Sequence, residues 1–152
     1  MKRKARVLIV DDQRSIRAML NAMIAQLGGE VVGEAQDGEE AVTKYLELQP
    51  DLVLMDINMP KMDGVEALKR ISASNPEVLV IMLTSQNTAE VVRECLMHGA
   101  KNFLLKSNPA AVLYEELRTS WAAHSALRAD FGNIRPFFRG RLVVRLMYRC
   151  PV

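Results

Sequence analysis

The chain has 152 residues, the size of one ordinary domain, and a net charge of +2. Apolar residues make up 49% and charged residues 25%, which is enough for a packed core. No apolar run reaches the roughly 18 residues needed to span a membrane, and the run Val7 to Val10 is too short for a signal peptide. Cys95 and Cys150 form no CxxC motif, so neither a disulfide framework nor a zinc site is predicted. We therefore expect a soluble cytoplasmic protein.

The first three predicted elements are a strand, a helix and a strand. Ala5–Val10 is a short, β-branched apolar run that is typical of a buried parallel strand. From Ile16 onward, apolar residues recur at spacings of 3, 4, 7, 8 and 11, which predicts an amphipathic helix ended by Gly28. Glu30–Ala35 is the second predicted strand.

The next elements follow the same alternation. Asp37 is the predicted N-cap of a second helix that stops before Pro50. Asp51–Asp56 is the third strand. A turn follows it, which Pro60 and Gly64 are expected to set, and Asp63 is expected to cap a third helix.

The last elements complete the pattern. Glu77–Ser85 is the most hydrophobic predicted strand, so we expect it at the centre of a sheet. A fourth helix ends at Gly99, and Asn102–Lys106 is the fifth strand. Asn108 is the predicted N-cap of the fifth helix, with proline at its first position. Five strands alternating with five helices predict a doubly wound α/β fold, a parallel sheet covered on both faces.

Polar side chains stand at the carboxyl ends of four predicted strands. They are Asp11 and Asp12 after the first, Asp56 at the third, Thr84 in the fourth and Lys106 in the fifth. In a parallel sheet these ends meet at one edge, where such folds bind ligands. Neighbouring carboxylates repel each other, and Mg²⁺ relieves this through oxygen ligands. With a lysine and a hydroxyl, the set predicts a receptor for a phosphoryl group, in which one carboxylate is the nucleophile that forms an acyl phosphate.

Four motifs carry a family resemblance over about residues 5–123: VLIVDDQ, DLVLMDINMPKMDG, IMLTS and GAKNFLLK. With them the chain resembles the receiver domain of two-component response regulators. The resemblance implies a flavodoxin-like, five-stranded sheet with strand order 2-1-3-4-5, and a receiver domain at residues 1–124. It also implies that Asp56 accepts a phosphoryl group from a sensor histidine kinase or a phosphotransfer protein.

The resemblance assigns a metal site to the acids. It implies that Mg²⁺ is bound by Asp12, by Asp56 and by the backbone carbonyl of Asn58, and that Asp11 holds a metal-bound water.

The resemblance also assigns roles around the phosphoryl group. It implies that Thr84 and Lys106 contact this group, and that Phe103 turns inward when Thr84 moves. Asn58 and Gln86 occupy the positions that tune dephosphorylation. The family follows the lysine with proline, whereas here Ser107 follows Lys106, so a trans peptide bond is predicted at this point.

The predicted output is a change in the face formed by the fourth helix, fifth strand and fifth helix. A downstream protein or an effector domain would bind this face, phosphorylation would favour a homodimer, and the receiver would not bind nucleic acid directly. Two alternatives are a receiver fragment of a longer regulator and a phosphorylation-independent binding module. A phosphatase of the haloacid dehalogenase type is not expected, because it normally places an acid where Asn58 stands. The protein is thus predicted to be a phospho-acceptor switch with only self-phosphorylation and self-dephosphorylation chemistry, and not an enzyme acting on outside substrates.

The last segment differs in charge from the rest. Residues 1–124 have 14 basic and 17 acidic side chains, a net −3, whereas residues 125–152 have 6 arginines and 1 acid, a net +5. Arg141, Arg145 and Arg149 lie four apart, so a helix there would carry a basic stripe. Three interpretations stay open for this basic tail: an amphipathic segment for an anionic partner or membrane, an extra docking element, or a segment that is not native.

Overall fold

The computed structural model describes residues 3–85 and 88–130, with side chains as far as residue 123. Every predicted strand and helix is present. The elements in chain order are β1 (Arg6–Val10), α1 (Arg14–Gln26), β2 (Glu30–Ala35), α2 (Gly38–Leu48), β3 (Leu52–Asp56), α3 (Gly64–Ser74), β4 (Leu79–Thr84), α4 (Ala89–Met97), β5 (Asn102–Leu105) and α5 (Ala110–Asp130).

The five strands form one parallel sheet in the order β2-β1-β3-β4-β5, as the resemblance implied. The middle strand is β3, so the prediction that β4 is central was wrong. Strand β4 lies between β3 and β5 and is buried almost throughout. Both strands are covered on both faces, so their hydrophobicity does not distinguish the middle strand from its neighbour.

Alternate residues of each strand point to opposite faces and build two core clusters. Val7 and Ile9 of β1 belong to the cluster that includes residues from α1 and α5. Leu8 and Val10 belong to the other, which includes residues from α2, α3 and α4. The sheet therefore holds the ends of its strands rigidly between two packed layers.

The helix ends follow the sequence closely. The Asp37 carboxylate accepts the Glu40 backbone N–H at 2.9 Å, and Asp63 accepts that of Glu66 at 2.9 Å, so both predicted caps are confirmed. Gly99 has a φ of +100°, the left-handed conformation expected after α4. Helix α5 begins at Ala110, one residue later than predicted, because the carbonyl of Pro109 accepts the first bond of the helix, from Leu113.

Helix α5 continues through residue 124 to Asp130. The predicted boundary at 124/125 therefore falls within a continuous helix and stays a prediction. The remainder of the basic tail, residues 131–152, lies outside the described residues. Over the part of the chain that the structure describes, no helix is long and apolar enough to cross a membrane.

Candidate functional site

Three acids converge at the carboxyl edge of the sheet. Asp11 and Asp12 follow β1, and Asp56 is the last residue of β3, the strand next to β1. Asp11 and Asp56 are buried and Asp12 is exposed. One carboxylate oxygen from each of the three lies within 4.8 Å of the others. The predicted convergence follows because parallel neighbours end at the same edge.

Lys106 supplies the positive charge of this site. Its side chain extends from just beyond β5, past the end of β4, and its Nζ lies 2.5 Å from Asp11 Oδ2 and 2.9 Å from Asp56 Oδ2. Its backbone N–H donates to the carbonyl of Thr84 at 2.8 Å, and Thr84 is itself buried. The structure thus brings together the five residues singled out at the strand ends.

The charges in the site are unbalanced. The pKa of Asp56 is raised to about 6, first by burial and then by the charges of Asp11 and Asp12, against the opposing effect of Lys106. For Lys106, burial lowers the pKa, but its ion pairs with Asp11 and Asp56 outweigh burial and raise it. One lysine therefore faces three carboxylates, and the site favours an additional cation.

The chemistry of the donors fits Mg²⁺. Carboxylate oxygens are its preferred protein ligands, and it typically uses one or two of them while keeping several waters. The side chain of Asp12 is open to solvent, so there is room for those waters.

The turn after β3 brings the start of α3 against Asp56. Gly64 was expected to set the turn, but it is the first residue of α3, and its N–H donates to the carbonyl of Ile57 at 2.8 Å. A Cβ on Gly64 would lie 1.9 Å from the backbone oxygen of Asp56. Glycine is required here by this close approach, since any side chain would displace the backbone of Asp56. Asn58 lies in the same turn and is exposed.

The predicted switch residues lie on the two strands beside the site. Phe103 of β5 is half-buried, pairs in register with Met82 of β4 and packs against the α2–α4 core cluster. Gln86 lies outside the described residues. The described residues contain no cis peptide bond, as predicted for Lys106–Ser107.

One residue at the site was missed by the sequence analysis. Arg17 of α1 is buried, and its Nη1 donates to the backbone carbonyl of Asp11 at 2.8 Å. The sequence did contain a sign of this, because Arg17 stands three and seven residues before the buried Leu20 and Ile24. A charged residue in the apolar register of a helix needs a specific partner in the fold.

Comparisons with known proteins agree with the fold. Residues 7–118 match the family described as the response regulator receiver domain. The chain is 46% identical over 101 residues to the chemotaxis protein CheY of Thermotoga maritima, covering 66% of this chain and 84% of that protein. It is 36% identical over 126 residues to the response regulator VraR of Staphylococcus saprophyticus, covering 82% of this chain and 60% of that protein.

A solved structure is similar too. The CheX–CheY complex with BeF₃ and Mg²⁺ from Borrelia burgdorferi contains a chain that superposes with a TM-score of 0.72 at 34% identity, over 77% of this chain and 89% of that one. The parallel sheet, the acids at its carboxyl edge and these similarities define a class of signalling domain. The chain belongs to the family of response regulator receiver domains.

Proposed function

We propose that Asp56 is the phospho-acceptor of a Mg²⁺-dependent switch. The observation that carries this proposal is the buried Asp56 carboxylate, which shares the Lys106 ammonium with Asp11 at the carboxyl edge of the sheet. Asp12 and the backbone carbonyl of Asn58 would complete the metal site with Asp56, and Asp11 would hold a metal-bound water. When bound, Mg²⁺ neutralises charge on the phosphoryl oxygens and on the carboxylates.

The transfer uses the side chains of the chain itself. A carboxylate oxygen of Asp56 attacks phosphorus, the bond from phosphorus to the donor breaks, and its electron pair leaves with the donor. A histidine kinase or a phosphotransfer protein would be the physiological donor. Lys106 then exchanges its bond to Asp56 for a phosphoryl oxygen, and the Thr84 hydroxyl donates to another. Lys106 is suited to this because its ammonium acts as a point charge with rotatable donors.

Phosphorylation would shift the population between two conformations. Thr84 would move toward the phosphoryl group, and Phe103 would turn into the space that this movement opens. The surface that changes is the face formed by α4, β5 and α5. Leu96 and Met97 at the end of α4 and Val112 in α5 are exposed apolar residues on these elements, Met97 by 77%. Such side chains suit a protein partner.

The partner proposed for this face is a downstream protein, an effector domain or a second copy of the chain. The Borrelia relative was solved together with CheX, BeF₃ and Mg²⁺, which supports a protein partner and a metal. Direct nucleic-acid binding is not proposed. The cytoplasmic location predicted from the sequence stays a prediction, as do the proposed roles of Asn58 and Gln86 in positioning the water that hydrolyses the acyl phosphate.

Two alternatives differ in how the chain is used. The match to VraR covers 60% of that protein, which supports the alternative that this chain is the receiver part of a longer regulator. A phosphorylation-independent binding module would need no acceptor, and the intact set of Asp56, Thr84 and Lys106 argues against it. Chemistry on outside substrates is not proposed, because Asn58 stands where an acid/base would be needed.

The test is labelling with acetyl phosphate, read by intact mass with Mg²⁺ or with EDTA. We expect one phosphoryl adduct on wild type with Mg²⁺, none with EDTA and none on Asp56→Asn. Asp51→Asn is the matched control, because it changes the same residue type at the opposite end of β3 and should label like wild type. If wild type carries no adduct in Mg²⁺, the proposal is rejected, and the phosphorylation-independent binding module is the alternative that remains.

A further inference from the structure

Arg17 is buried on the sheet-facing side of α1 and makes two specific contacts there. Its Nη1 donates to the backbone carbonyl of Asp11 at 2.8 Å, and its Nε donates to Glu34 Oε2 of β2 at 3.0 Å. Its side chain is only 11% exposed, whereas that of Glu34 is 39% exposed. A guanidinium is suited to this because its planar fork of donors reaches two acceptors at once.

The contact with Asp11 fixes a particular peptide plane. The backbone N–H of Asp11 donates to the carbonyl of Ala35 at 3.0 Å, and its carbonyl accepts from Arg17, so the backbone of Asp11 is held at both ends. The Asp11 carbonyl belongs to the planar peptide that ends at the Cα of Asp12. Holding this carbonyl therefore fixes the position of the Asp12 Cα, which carries the exposed Asp12 side chain.

We propose that Arg17 is a positioning residue that sets the Mg²⁺ affinity of the site by holding the Asp11–Asp12 peptide in its binding orientation. This inference rests on the proposed function, since it concerns the same metal. Groups that hydrogen-bond to a metal-binding segment pre-organise it, and their loss typically weakens metal affinity by about 10- to 100-fold. The contact is to a backbone carbonyl, so no ligand atom is removed when Arg17 changes.

Charge and geometry predict opposite effects for this residue. Arg17 is a cation close to a cation site, so its charge alone opposes Mg²⁺, and its removal would strengthen binding. Loss of the bond to Asp11 would instead weaken binding. Weaker binding after removal of this positive charge would therefore identify the positioning role.

The experiment measures Mg²⁺ binding by isothermal titration calorimetry, without a phosphodonor. We expect Kd to rise about tenfold in Arg17→Gln, and less in Arg17→Lys, which keeps the charge but lacks the fork. Arg14→Gln is the matched control, because it removes the same charge from an exposed position in the first turn of α1. Its Kd should equal that of wild type or fall slightly.

A second readout separates positioning from general damage to the site. For Arg17→Gln, the Mg²⁺ concentration that gives half of the maximal rate of labelling by acetyl phosphate should be higher than for wild type. The maximal labelling rate at saturating Mg²⁺ should equal that of wild type. Urea unfolding checks that each variant is folded, and if Arg17→Gln has no cooperative transition, Arg17→Lys decides by the same criteria.

Each outcome has a distinct meaning. If wild type binds Mg²⁺ and is labelled while the Arg17 variant keeps the wild-type Kd or binds more tightly, the inference is overturned and the proposed function stands. A labelling rate that stays low at saturating Mg²⁺ would also overturn it. If wild type itself neither binds Mg²⁺ nor labels, the proposed function fails, and this inference fails with it.

Discussion

Asp51 directly precedes strand β3 and Asp56 is its last residue, and the surroundings of the two acids differ sharply. At the amino end, Asp51 accepts the backbone N–H of Arg6 at 2.8 Å and pairs with Arg3 at 2.7 Å. At the carboxyl end, Asp56 shares Lys106 with a second buried acid, Asp11. The side chain of Asp51 is 12% exposed and that of Asp56 is 4% exposed, so both are largely removed from water.

The difference lies in how well each charge is compensated. Asp51 has an arginine and a backbone donor, and it joins the start of β3 to the residues around β1. Asp56 is buried beside Asp11, and the two carboxylates share the ammonium of Lys106. The pKa of Asp56 is raised to about 6. One end of the strand is thus stabilised by its aspartate, and the other holds an aspartate at a cost in stability, as is common at functional sites.

The largest effect is expected from removing the shared lysine. In EDTA at pH 7, Lys106→Met should lower the free energy of unfolding by about 3 kcal/mol, because two buried carboxylates lose their counter-ion. Urea unfolding measures this. Lys61→Met is the control, since Lys61 is exposed and its Nζ lies 3.7 Å from Asp37, and it should change little. Equal losses in the two variants would contradict the special role of the buried pair.

A smaller effect of opposite sign is expected at Asp56. Asp56→Asn should raise the free energy of unfolding by about 2 kcal/mol at pH 7 in EDTA. The pKa of Asp56 rises from 3.8 to about 6 on folding, so protonation of Asp56 stabilises the folded state. This stabilisation is fully present below pH 4 and is lost as pH rises through 6. The gain from Asp56→Asn should therefore be present above pH 6 and disappear toward pH 4.

The control for that prediction lies at the other end of β3. Asp51→Asn should lower the free energy of unfolding by about 1 kcal/mol at pH 7, because charge-assisted hydrogen bonds are lost. Urea unfolding at pH 4, 5, 6 and 7 compares the two variants. A stabilising Asp51→Asn, or an Asp56→Asn gain that persists unchanged at pH 4, would remove the contrast between the two ends.

The smallest effect is expected from Arg3, the exposed partner of Asp51. Arg3→Ala should lower the free energy of unfolding by at most about 0.5 kcal/mol, because Arg3 is 69% exposed and water screens the pair. The measurement is urea unfolding at low and at 1 M salt, where the difference from wild type should shrink. A loss above that of Asp51→Asn would show that Arg3, and not the Arg6 backbone, stabilises this end.

Much of the fold could be predicted from local patterns. The strand ends at Val10 and Asp56 were placed correctly, and so were the caps Asp37 and Asp63, because each depends on residues close in sequence. Strand β4 ends at Thr84, one residue before the predicted end at Ser85. The middle position of β3 could not be predicted from hydrophobicity, since interior strands are alike in that respect.

The residues that converge at the strand ends were predicted, but the residues that contact their backbone, Gly64 and Arg17, were not recognised as such. Gly64 was predicted only as a turn residue. Its close approach to the Asp56 carbonyl was missed, because this approach exists only when α3 packs behind β3. Arg17 was missed for a similar reason, since its acceptors are a carbonyl of the β1–α1 loop and a carboxylate on β2.

The sequence by itself determined the order of the elements and which chemical groups stand at the strand ends, because residue periodicity and capping act over a few neighbouring residues. Only the tertiary structure decided that one lysine reaches both Asp11 and Asp56, and that Arg17 holds the peptide between the first two acids. Those contacts depend on strand pairing and helix packing between distant segments. Local sequence patterns do not specify the resulting distances of a few ångströms.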